Sequence, residues 1–143
     1  MKSSSDYLRR KQYRDGSNLA ARINIHRRFS VNPVGWQRWI FQQIMAPPRA
    51  QILELGAGTG ELWLDNIAAV PREWSVTISD LSGGMAREAQ DRIAEAGLVV
   101  HAVVADARCI PFDDASFDVV VANMMLYHVP ERKAAVGEIR RVL

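Results

Sequence analysis

Residues 52–60 read I-L-E-L-G-A-G-T-G, and the reading of this run decides the fold. An apolar stretch that ends in an acid and passes into three glycines at alternate positions predicts a buried strand, a tight turn free of side chains, and then a helix. Turns of this kind hold nucleotide-like ligands. Gly56, Gly58 and Gly60 can take positive φ and carry no Cβ, so the backbone can approach a flat ligand at van der Waals distance. A dinucleotide loop needs two residues between its second and third glycines, to seat pyrophosphate on the helix N-terminus, whereas Thr59 alone separates Gly58 from Gly60. A phosphate-cradling loop needs Lys and then Ser or Thr after its last glycine, and here Glu61 follows. Glu54 repels phosphate further and is placed to attract an amino group or a sulfonium. The run points to a nucleoside rather than a phosphate, although standing alone it would also fit an ordinary glycine-rich turn.

It does not stand alone. The next extended stretch, Ser75 to Ser79, ends in Asp80, 20 residues beyond Gly60, the separation at which a second-strand acid reaches ribose hydroxyls. The alternative for Asp80 is an N-cap on the following helix. A third strand, 98–104, leads to Ala105-Asp106-Ala107, and a fourth, 118–122, to Asn123. Polar groups thus follow the C-terminal ends of successive strands, where open α/β sheets bind ligands.

With E-L-G-A-G-T-G, D-L-S-G-G-M at 80–85, D-A-R-C-I-P-F at 106–112, S-F-D-V-V at 116–120 and E-I-R-R-V-L at 138–143, the chain resembles the class I S-adenosylmethionine-dependent methyltransferases. The likeness covers about residues 50–143 and is strongest to the small-molecule branch that includes the quinone-biosynthesis C-methyltransferases. It implies an α/β, Rossmann-like parallel sheet of strand order 3-2-1-4, with residues 49–143 as the cofactor-binding core. It implies further that Glu54, Gly56, Ala57, Gly58, Thr59 and Gly60 line the methionine end of the cofactor, that Asp80 binds the ribose, and that Leu81 packs on adenine. Met85 belongs to the same wall. Asp106 would accept from the adenine amino group, with the Ala107 N–H nearby, while Asn123 and Met124 would sit beside the methionine portion. For Asp106 the alternative is a turn cap before Pro111.

Composition fits one domain of an intracellular enzyme. The 143 residues are 48% hydrophobic, enough to bury about two-thirds of the chain's surface. No apolar run approaches membrane length, and no hydrophobic stretch follows the first Lys, so the expectation is a cytoplasmic protein with no membrane partner. Cys109 is alone, which excludes an internal disulfide and a cysteine-rich metal site; no metal is expected.

Charge divides the chain. Residues 1–50 carry 10 basic and 2 acidic side chains, residues 51–143 carry 8 basic and 14 acidic. Residues 1–48 read as a basic helical cap over the cleft, with helices near 6–13, 17–29 and 34–45. In the last of these Trp36, Trp39, Ile40 and Ile44 recur at helical spacing and should pack on the sheet domain. Arg9, Arg10, Lys11, Arg14, Arg22, Arg27 and Arg28 could track a nucleic-acid backbone. A solvated helical face, with one Arg reaching a cofactor carboxylate or an anionic substrate, is preferred because no nucleic-acid module accompanies the charge. A small-molecule acceptor is expected.

Methyl transfer from a sulfonium needs alignment in a water-poor pocket, and a base only where the acceptor must lose a proton. His128 is the candidate base and Tyr127 could orient a hydroxyl; alternatively His128 caps the helix that starts near Pro130. Family members continue past the R-V-L signature into further strands, whereas this sequence stops at Leu143, leaving the fourth strand an apolar edge. The expectation is a fragment of a longer enzyme, or a second copy covering that edge. A cofactor-binding module without catalysis and a nucleic-acid methyltransferase remain as alternatives.

Overall fold

The computed structural model describes residues 17–143, so the helix expected near 6–13 lies outside the described residues. Two helices, α1 (Ser17–Phe29) and α2 (Trp36–Gln42), precede the first strand. Then follow β1 (Gln51–Leu55), α3 (Glu61–Leu64), β2 (Ser75–Asp80), α4 (Gly83–Glu95), β3 (His101–Val104), β4 (Val119–Val121) and α5 (Arg132–Val142). The four strands form one parallel sheet in the order β3-β2-β1-β4, as the sequence implied.

β1 is buried on both faces because its neighbours cover it on both. Ile52 enters a cluster with Trp63, Val76, Ile78, Ala89 and Ile93, while Leu53 and Leu55 enter another with Ile110, Phe117, Ala135 and Val142. This is the period of two expected of a strand whose alternate side chains meet helices on opposite faces. Each fully buried aliphatic side chain contributes about 2 kcal/mol.

Three elements are shorter than the sequence suggests, and β4 pairs only over Val119–Val121 within the expected 118–122. β3 begins at His101 instead of Leu98, because Gly97 takes φ +92° and the Leu98 N–H turns back to the Ile93 carbonyl at 3.2 Å. Residues 98–100 close α4 before extended pairing starts. α2 ends at Gln42, where the N–H groups of Gln43 and Ile44 bond three residues back and tighten the last turn. Its packing also differs from expectation. Ile40, Phe41 and Ile44 pack on the sheet core, but Trp36 and Trp39 stack on each other at 5.5 Å and stay 48% and 43% exposed.

The E-I-R-R-V-L signature has a structural explanation. Arg141 donates to the carbonyls of Ile110 and Phe112 and to the carboxylates of Asp114 and Glu138, and Glu138 also accepts from the Ile110 N–H at 2.8 Å. α5 thereby pins the loop that carries Asp106 toward β4. Arg141 and the Ile110 N–H hold the Glu138 carboxyl down at about 2. A depressed acid stabilises the fold above its ordinary 4.5 and loses that contribution as pH falls through 2. Arg141→Ala is therefore expected to lower the thermal midpoint at pH 7, with the gap to the parent narrowing between pH 4.5 and 2. A gap independent of pH would show that the ion pair is not the pin.

Candidate functional site

Gly56, Gly58 and Gly60 all have positive φ, at +68°, +58° and +82°. A Cβ on Gly56 would lie 2.7 Å from Met125 Cβ, and one on Gly60 would lie 2.8 Å from Ile93 Cδ1. Gly60 is the left-handed N-cap of α3 and packs on α4; it stands outside the cavity wall, unlike the rest of the loop. The loop is stapled to the end of β2. Ala57 N–H donates to the Ser79 carbonyl at 2.9 Å and Gly58 N–H to Asp80 Oδ2 at 3.1 Å. Asp80 Oδ1 accepts from the Ser82 N–H at 2.9 Å, and Ser82, not Asp80, caps α4 through the Met85 N–H.

A cavity of about 650 Å³ opens at the C-terminal ends of the strands. Glu54, Gly56, Ala57, Gly58 and Thr59 form its floor. Asp80, Leu81 and Met85 line the next side, Asp106 and Ala107 the far end. Asn123, Met124, Tyr127 and His128 close it from beyond β4. The helices before β1 supply the remaining wall, including His26, Arg27, Trp36 and Gln37.

The carboxylates differ in state. Glu54 is buried, accepts from Trp63 Nε1 at 2.7 Å, and is pushed up to about 7, chiefly by desolvation, with the Asp80 charge adding to it. Burial also raises Asp80, opposed by its backbone N–H donors. Glu61 receives Arg27 at 3.0 Å, Arg92 at 2.8 Å and the Thr59 hydroxyl at 3.3 Å. Arg27, which reads in the sequence as part of a solvated or phosphate-binding face, is instead a strut between α1 and α3.

Asp106 also departs from the simple expectation. Its carboxylate accepts from the Arg108 N–H and, in a fork, from the Arg108 guanidinium, with Nη2 to Oδ2 at 2.7 Å, and the Arg108 side chain holds it below the usual range. The turn-cap alternative thus describes Asp106 in this structure. Nη1 of Arg108 lies 3.8 Å from Glu131. Glu131 occupies the N-cap position of α5, and its side chain makes no capping hydrogen bond.

His128 closes a 3₁₀ turn, Leu126–His128, with its ring 4.2 Å from that of Tyr127. Met124 just before it has φ +54°, a left-handed conformation that strains a side-chain-bearing residue. On the helix side, Gln37 Oε1 is the one buried side-chain polar atom without a hydrogen-bond partner among the described residues. Sequence reading missed Gln37, Trp63 and Arg108. Arg108 was findable, because a cation two residues after a loop acid can reach back to it; nothing local marks the other two.

A family model described as a methyltransferase domain matches residues 52–143. The ubiquinone/menaquinone biosynthesis C-methyltransferase UbiE of Xanthomonas campestris pv. campestris is 32% identical over 123 residues, which cover 85% of this chain and 46% of that protein. The chain thus spans about half the length of the curated relatives it matches. Phosphoethanolamine N-methyltransferase 2 of Haemonchus contortus, solved with S-adenosyl-L-methionine, superposes with a TM-score of 0.76 at 25% identity over 100% of this chain and 34% of that one. The [4+2]-cyclase SpnF gives 0.68 at 27% identity over 75% and 39%. With ordered motifs, sheet order and family match in agreement, the chain belongs to the methyltransferase domain family.

Proposed function

We propose that the chain carries the donor half of an S-adenosylmethionine-dependent methyltransferase acting on a small-molecule acceptor, with residues 49–143 as the cofactor core and the helices before them as its cap. The observation that carries this reading is Asp80. It lines the cavity with its oxygens held by the Gly58 and Ser82 N–H groups and the Leu81 N–H as a further donor, and a carboxylate, with about four acceptor positions, still has capacity for a ribose hydroxyl. The glycine loop supports it too, since a Cβ at Gly56 has no room and the bare backbone faces the cavity.

The sulfonium of the donor supplies an activated methyl group. Glu54 then has two tasks in this reading. Its buried carboxyl orients Trp63, and its ionised form stabilises positive charge in a site that excludes water. Leu81 and Met85 hold the flat base. Asn123 and Met124 abut the methionine portion, and Tyr127 and His128 face the acceptor, His128 as the base where a proton must leave. The base amino group meets an Asp106 already engaged by Arg108, so Arg108 must yield or share that carboxylate. UbiE and the phosphoethanolamine enzyme, by their names, act on small molecules, which supports such an acceptor here.

S-adenosylmethionine and S-adenosylhomocysteine are expected to raise the thermal midpoint, and Asp80→Ala and Gly58→Val to abolish both shifts in folded protein. No shift with either ligand would defeat the assignment, and production of S-adenosylhomocysteine with an acceptor would set aside a module without catalysis.

Glu54 gives a pH test. Raised to about 7, it is neutral below and ionised above, so affinity for the cationic donor relative to the neutral thioether product should rise from pH 6 to 8. Glu54→Gln should flatten that ratio; a ratio that still climbs would remove Glu54 from the charge recognition. Arg108→Ala should tighten S-adenosylhomocysteine binding a few-fold by freeing Asp106, measured by calorimetry, and weakening would mean that the guanidinium itself contacts the base.

A further inference from the structure

We infer that the helices before β1 form a docking face for an anionic lipid surface, a property separate from methyl transfer. Between residues 25 and 45 the chain leaves a succession of large apolar side chains in solvent: Ile25 is 59% exposed, Phe29 70% and Val31 99%, with the Trp36–Trp39 stack close behind. Ile25 and Phe29 are four residues apart on one face of α1, and on α2 the half-exposed Trp39 stacks on Trp36, which stands at the rim of the cavity. The loop between the helices adds exposed Val31 and Val34, so exposed apolar residues recur along the chain from one helix to the next.

Charge identifies the occupant. From Gly16 to Leu53 there is no Asp or Glu, whereas Arg22, Arg27, Arg28, Arg38 and Arg49 fall within that run. Arg27 is spent on Glu61 and Asp65, but Arg28, Arg38 and Arg49 are exposed, and the Arg28 guanidinium sits 5.6 Å from the Phe29 ring centroid. Aromatic side chains flanked by arginines, with no acid among them, match the requirements of an interface between water and anionic headgroups. No helix among the described residues is long and apolar enough to cross a membrane, so the contact is peripheral. A second copy of this face would bring like charges together, and the aliphatic Ile25, Val31 and Val34 interleaved with its aromatics favour acyl chains over stacked bases.

The test uses the full chain and two kinds of vesicle, phosphatidylcholine alone and phosphatidylcholine with phosphatidylglycerol as roughly a third of the lipid. Sedimentation should show partitioning at least about tenfold stronger onto the anionic vesicles, reduced by salt. Tryptophan emission should shift to the blue, since Trp63 is already buried and Trp36 and Trp39 are the half-exposed reporters. The double variant Phe29→Asp, Val31→Asp should lose about tenfold in partitioning with an unchanged thermal midpoint. If that midpoint falls, Arg28→Gln with Arg38→Gln serves in its place, with a several-fold loss expected. Equal partitioning onto both vesicles, or variants that bind like the parent, would overturn the proposal. So would a blue shift produced by single-stranded RNA in place of vesicles, or an assembly that the aspartate substitutions dissolve, which would make the face an interface between copies.

Discussion

The site rests on one carboxylate. Asp80 ends β2, yet its two oxygens hold the backbone of two different turns, the glycine loop after β1 through Gly58 and the entry to α4 through Ser82. A glycine loop has no side chains of its own to fix it, and left-handed glycines leave it with conformational freedom that must be removed from outside. An acceptor on the neighbouring strand does this with charge-assisted hydrogen bonds at the point where the cavity floor needs definition. Parallel pairing sets the register that makes it work, since Leu55 lies opposite Ser79 and the two strands run out together.

Burial sets the second constraint. Glu54 occupies a strand position whose neighbours Leu53 and Leu55 are core residues, and its carboxyl is correspondingly hard to ionise. A sequence chosen for stability alone would put an aliphatic residue there. Holding an acid in such a place, with an indole N–H as its partner, is the kind of local conflict that marks a site where function has overridden packing.

Much of the fold was legible because its signals are local. Apolar runs ending in Glu54, Asp80 and Asn123 gave the strands, while the sheet order came from the family resemblance that their ordered motifs carry. What escaped were relations between distant segments. Trp36 and Trp39 have helical spacing that says they share a face, but spacing cannot say whether that face meets the core or the solvent. Trp63 and Gln37 enter the site only because α3 and α2 are packed where they are. Arg27 illustrates the same limit: among the ten basic residues of residues 1–50, nothing in the sequence distinguishes a strut from a solvated charge, and its partners lie 34 and 38 residues away.

Those partners have a consequence for how such a cap can change. Glu61 shares its carboxylate between Arg27 of the cap and Arg92 of α4, so the segment before β1 and the body of the domain are joined at one anion. Substitutions at 27 and 92 will not act independently, because losing either cation alters what the other must neutralise. A cap grafted from a relative must therefore bring its own cation to this position, or Arg92 alone is left to neutralise Glu61.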